Sequence, residues 1–267
     1  MAITTLDGAL AGMRAPAYVA KAVTGTMVAG RPHSLFYLAG APGAAVAPTP
    51  GLSGAALTTY AGQIPFTNPV SGNSYLARLQ AQCTIAGTLL LCDRLWHNSG
   101  FTITSTGAQT INSVAWPARD RTGTTNGFDV LCGIEISGAT GAGTPTITLS
   151  YTDQDGNAGA SGVNSVATVA SSIAGTFYPI GLAAGDTGVR SVQTLTLSAT
   201  WTSGTMHLVA YRVLAALEIT GANTPNAIDS ITSGFPQLYD NTVPFLVFIP
   251  STTTTSNISG QVVITQG

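Results

Sequence analysis

The sequence predicts an all-β chain, an antiparallel β-sandwich of jelly-roll type preceded by a long extended N-terminal arm. Three observations carry this. Apolar and polar residues alternate with period two over several short stretches, the period of a strand with one buried face. The stretches are separated by turns rich in Gly and Asn rather than by helical patterns. The first 75 residues lack the alternation and are rich in Ala, Gly and Pro.

From the N-terminus, residues 1–75 read as the arm, because so many helix and strand breakers leave it unable to close a core of its own. Thr5 is a candidate cap for a short helix with Asp7 in its first turn and Leu6, Leu10 and Met13 on one face. Gly8 and Gly12 weaken it, and it is shorter than the roughly 12–15 residues an isolated helix needs, so it requires a surface to dock on. Leu6, Leu10, Met13, Leu35 and Phe36 are the expected apolar anchors of the arm.

Residues 76–267 read as the sandwich. In TPTITLSYT, Ile147, Leu149 and Tyr151 alternate with Thr146, Thr148, Ser150 and Thr152. FDVLCGIEI and QTLTLSATW repeat the pattern, whereas TLLLCDRLW and MHLVAYRVL are continuous apolar runs suited to central strands. PFLVFIP and GQVVITQ, separated by the polar run STTTTSNIS, supply the last two strands. Both are apolar and lack a lysine gatekeeper, so their edges call for cover.

Composition narrows what such a fold does. Asp, Glu, Lys and Arg make up 7% of the chain, against roughly 25% in ordinary soluble domains, and Lys21 is the sole lysine. A chain this neutral shields its surface with Thr, Ser, Asn and Gly or buries much of it against partners, which points to an assembly subunit. A net charge of −2 offers no basic face for direct nucleic-acid binding. Prolines interrupt the long uncharged stretch between Arg31 and Arg78, so no membrane helix is expected there. The N-terminus lacks the basic start and apolar run of a secretory signal. Cys83, Cys92 and Cys132 follow no metal or redox spacing and lie in apolar segments, which reads as buried free thiols.

Candidate chemistry is sparse. Asp153, Asp155 and Asn157 in TDQDGNAG resemble the start of a calcium loop, but Ala158 and Asn164 stand where such a loop needs Gly and Glu. Asp-Gly-Asn after a clean strand reads instead as a hairpin turn, and no metal site is expected. His33, His97 and His207 stand apart in sequence and belong to no catalytic motif. Cys92, Asp93 and His97 are close along the chain, but Asp93 with Arg94 reads as a polar strand end. No catalytic residue, cofactor site or small-molecule ligand is therefore expected. Trp96, Trp116 and Trp201 read as core, or alternatively as a sugar-stacking platform, with Trp116 the one borne on a loop. Arg119, Asp120 and Arg121 form the densest charge cluster, expected as an inter-subunit ion-pair patch or a solvated loop.

The strings HSLFYLAGAPGAA, YAGQIPFTNPVSGN, LCDRLWHNSG, AGDTGVRSVQ and FPQLYDNTVPFLVF resemble structural proteins of tailed bacteriophages over most of the chain. Among these the chain is most similar to head decoration, or cement, proteins. That resemblance implies a non-enzymatic virion protein on the outer surface of the head. Its implied partners are the major capsid protein and copies of itself, as a homotrimer, without membrane or direct nucleic-acid contact. A tail or fibre component and a carbohydrate-binding adhesin are the alternative readings.

Overall fold

The computed structural model describes residues 3 and 5–267. The regular structure of the chain is almost entirely antiparallel strand, in two sheets, one of them curled into a half-barrel. The longer strands are β1 (Ala17–Val23), β2 (Ser74–Cys83), β3 (Gly87–His97), β4 (Val130–Gly138), β5 (Ile147–Asp153) and β6 (Ala158–Asn164), followed by β7 (Phe177–Gly181), β8 (Val189–Leu197), β9 (Thr205–Ile219), β10 (Asn226–Asp229), β11 (Pro244–Pro250) and β12 (Ser256–Gln266). The smaller sheet runs β10-β2-β12-β1 and ends on Gly40–Ala41. The larger runs β11-β3-β9-β4-β7-β6-β5-β8, with His33–Ser34 beside β11 and Gln109–Thr110 beside β8.

Alternation along each strand decides which faces meet. Val19 of β1, Leu79 of β2 and Val262 of β12 face Leu89 of β3, Leu217 of β9 and Phe248 of β11, closing a core between the sheets. A second core fills the curl of the larger sheet, where Ile134, Leu149, Leu195 and Leu208 surround Trp201 and Tyr178. Val209 and Tyr211 of β9 alternate with Leu208 and Ala210 and so present the opposite face, where Phe36, Phe177 and Phe245 pack. The single strand β9 thus borders all three clusters.

Within residues 1–75, the described residues contribute strands to both sheets and side chains to the core. β1 pairs with β12 over seven residues, from Ala17 opposite Val262 to Val23 opposite Ser256, and Met27, Leu35, Phe36, Leu57 and Ile64 are buried. Leu35 and Phe36, expected as anchors for a partner, are core residues at 1% and 2% exposure. Two local features hid this. Ala20 and Ala22 flank Lys21 between the buried Val19 and Val23, and Ala17 precedes them, so the strand reads as low-complexity sequence. Lys21, which looks like a surface charge, is buried with its Nζ donating to the carbonyls of Leu38 at 2.7 Å, Pro42 at 2.6 Å and Gly43 at 3.3 Å. Burial pushes its pKa down to about 8, and the three carbonyls act in the other direction by solvating the ammonium.

The short helix forms where expected, as α1 (Leu6–Ala11), with Thr5 Oγ1 accepting the Gly8 N–H at 3.1 Å. It docks through small contacts on the end of β12: the Thr265 hydroxyl donates to the Ala9 carbonyl at 2.6 Å and the Gln266 N–H to the Gly12 carbonyl at 3.0 Å. Ala9 is its one buried residue.

Candidate functional site: an exposed apolar edge and a buried polar cluster

Leu6, Leu10, Met13, Tyr18 and Val70, half of the exposed large apolar side chains among the described residues, lie toward the N-terminal edge of the smaller sheet. Leu6, Leu10 and Met13 remain 73%, 56% and 44% exposed, so α1 presents its apolar residues outward. Directly after them the chain lines a groove of about 650 Å³, formed by Arg14–Tyr18, Pro65–Asn68 and Val70 with the end of β12. Tyr18 and Val70 are exposed there as well. On its flank away from β12, β1 pairs among the described residues only through Ala20 and Lys21, with Ala41 and Gly40. Its first residues therefore offer an unpaired strand edge along the groove.

A second concentration of functional groups is buried against the larger sheet. Arg94 of β3 and Glu135 of β4, both fully buried, form an ion pair at 2.7 Å. Arg94 Nε donates to His97 Nδ1 at 3.3 Å, and Arg94 Nη2 lies 3.5 Å from the Tyr37 hydroxyl. The guanidinium stacks 4.5 Å from the centre of the Phe36 ring. Burial works against the Arg94 cation, and the Glu135 carboxylate and the Tyr37 hydroxyl together more than offset it, leaving the pKa above its ordinary value. His207 Nδ1 lies 2.9 Å from the Asn98 carbonyl and so carries the proton, which leaves Nε2 to accept from the Ser137 hydroxyl at 2.6 Å. Burial, aided by Arg94, pushes the His97 pKa down to about 2, and burial lowers that of His207. Both imidazoles are neutral at neutral pH. Among the described residues, Arg94 Nη1 and Glu135 Oε1 have no hydrogen-bond partner.

The fold thus brings together two histidines that sequence spacing left apart, through partners no motif announced. The missed residues are Tyr37, Tyr60, whose ring stands edge-on to His97, Arg94 and Glu135, and for the two charged ones the available signal was the rarity of charge inside apolar runs. Asp93 and Arg94 are not a polar strand end. Asp93 is also fully buried, taking the guanidinium of Arg119 at 2.9 and 3.2 Å and the Val243 N–H at 2.9 Å. The Arg119–Arg121 cluster accordingly divides. Asp120 accepts from the backbone and hydroxyls of Thr122 and Thr124 and from the Gly127 and Phe128 N–H groups, which organises its own loop. Only Arg121 is solvated, paired with Asp129 at 3.1 Å.

The remaining candidates are structural. Asp153 closes the β5–β6 turn by accepting from the N–H groups of Asp155 and Asn157 and from the Asn157 side chain. All three tryptophans are buried, including Trp116, which lies on a loop as expected; it packs edge-on to Trp96 with centroids 5.2 Å apart and donates to the Val189 carbonyl at 2.8 Å. They therefore build no sugar platform. The three cysteines are free and buried, and burial raises each thiol pKa, that of Cys83 to about 12.

No protein-family model matches the chain, and no curated protein matches it. Among solved structures, it is similar to the infectious bursal disease virus VP2 subviral particle, at 7% identity and a TM-score of 0.19, over 96% of this chain and 82% of that one. The structure of the Gt strain of infectious bursal disease virus aligns over 95% and 82%, at 8% identity and a TM-score of 0.20. Superpositions this loose carry no argument about fold or function.

Proposed function

We propose that the chain is a non-enzymatic structural subunit of a virus particle, of the tailed-phage kind its sequence resembles, and that it decorates the head by binding the major capsid protein and copies of itself. The observation that carries this reading is the exposed apolar edge. In a molecule with so few charges, Leu6, Leu10 and Met13 face solvent on a lightly docked helix beside an open groove and an unpaired strand edge. Exposed apolar side chains concentrated at one edge mark an interaction site. Leu6, Leu10 and Met13 are the proposed anchors; Leu35 and Phe36 leave that set because they are core. On a lattice, modest contacts repeat at every subunit, so the shell gains buried area across each joint.

Pelleting with particles that lack the chain tests this. Leu6→Asp combined with Leu10→Asp should lower occupancy at least tenfold, because an apolar interface that buries two unpaired carboxylates loses several kcal/mol. Undiminished occupancy with a normally folded variant overturns the docking role. Low copy number on the tail, rather than hundreds of copies on the head, selects the tail or fibre reading.

A further inference from the structure

His97 and His207 lie beneath one covering segment, residues 34–64, and that segment is held to the larger sheet by short contacts. It pairs with β3 over only Ala55–Ala56 and with β11 over only His33–Ser34. Single backbone hydrogen bonds add Leu35 to Leu246, Gly51 to Ser99, Leu57 to Leu95 and Ile64 to Pro244. The side chains of Trp96, Asn98 and Arg119 donate to the carbonyls of Ser53, Leu52 and Leu57, and the segment's own Leu35, Phe36, Leu57 and Ile64 are buried beneath it. From this cover the Tyr60 ring stands edge-on to His97 with centroids 4.6 Å apart, and Tyr37 reaches toward Arg94 and His207.

We propose that the cover is an acid-released flap: protonation of His97 and His207 opens residues 34–64 from the larger sheet while the rest of the sandwich stays folded. The groups facing the two imidazoles are Arg94 from β3, Glu135 and Ser137 from β4, Tyr37 and Tyr60 from the cover, and each other. Glu135 is the one carboxylate in this set, and it is already paired with Arg94. A proton on His97 Nδ1 would put a donor against the Arg94 Nε–H and a cation beside the guanidinium. The imidazolium therefore needs water, and lifting a segment tied by two-residue ladders is a less costly route to water than separating β3 from β9, which pair over most of their length.

The sign follows from linkage. His97 has a depressed pKa when covered and an ordinary one, near 6.5, when open, so closure is fully favoured above pH 6.5 and is lost as pH falls below it. At pH 5 that single group shifts the opening equilibrium by about 30-fold, and His207 adds to it.

Hydrogen exchange by mass spectrometry on the free protein at pH 7.5 and 5.0, corrected for intrinsic exchange, reads this directly. Peptides within 34–64 should open about 30-fold more, or beyond, at pH 5.0, while β5 and β8 change less than threefold. The double variant His97→Gln with His207→Gln should remove the difference. Equal loosening throughout the wild-type chain, or none in 34–64, overturns the proposal even if the variant fails to fold. A pH response retained by a folded variant overturns it too, and assigns the response to Glu135 or elsewhere.

Discussion

Asp93 and Arg94 are neighbours in β3 whose side chains point to opposite faces of the sheet, and each finds its own counter-ion there, Arg119 and Glu135. The charges were legible in the sequence, but their burial was not. Alternation in one strand shows which residues share a face, whereas whether a face is covered depends on segments far away, here residues 34–64 and the loop that carries Arg119. The same limit applies to Lys21, whose three carbonyl acceptors are contributed by Leu38, Pro42 and Gly43. Energetically, the two kinds of ion pair in the molecule should separate cleanly. Arg119→Ala leaves the Asp93 carboxylate buried without its cation and the Leu57 carbonyl without a donor, so urea denaturation should show a loss of about 3–5 kcal/mol. Arg121→Ala removes a pair whose side chains are 65% and 43% exposed, and its effect should stay within about 1 kcal/mol. Equal effects would mean that the Asp93–Arg119 pair is hydrated.

Most strands of the sandwich could be read from the chain, because β4, β5, β8, β9, β11 and β12 carry either alternation or continuous apolar runs that turn residues delimit. β1 escaped because its outward residues are chiefly alanine and one of its inward positions is a lysine. Trp201, expected to continue the strand that ends at Leu197, instead lies beyond a turn and still reaches the core of the curl. The difference between β1 and α1 yields a contrast between two truncations. Removing residues 1–11 deletes a helix that buries only Ala9, so the product should stay folded, with weakened particle binding as its one deficit. Removing residues 1–31 also strips β1 from β12 and exposes Val262 and Ile258, and should yield insoluble protein. Deleting 245–267 should do the same, since β11 lies in the larger sheet and β12 in the smaller. A soluble, cooperatively melting product of either longer deletion would show that the smaller sheet is dispensable.

At the scale of the whole molecule, the apolar interior is divided into three clusters, yet β9 runs past all of them. Leu208 faces the curl of the larger sheet, Tyr211 the aromatic cluster under the cover, and Leu217 the space between the sheets. With the cover closed, displacing β9 from β3 and β4 opens all three clusters at once. Unfolding at neutral pH should therefore be one transition, with the calorimetric and van't Hoff enthalpies in agreement. Leu208→Ala and Leu217→Ala test this from opposite ends of the strand. Each leaves a cavity at a fully buried site and should cost about 2–5 kcal/mol. In a chain of this length every kcal/mol corresponds to a shift of roughly 2–4 °C in Tm, so each variant should move the entire peak downward without splitting it. A second, unshifted peak in either variant would show that the cluster it retains is a separate cooperative unit, and that β9 does not couple the sheet-to-sheet core to the curl.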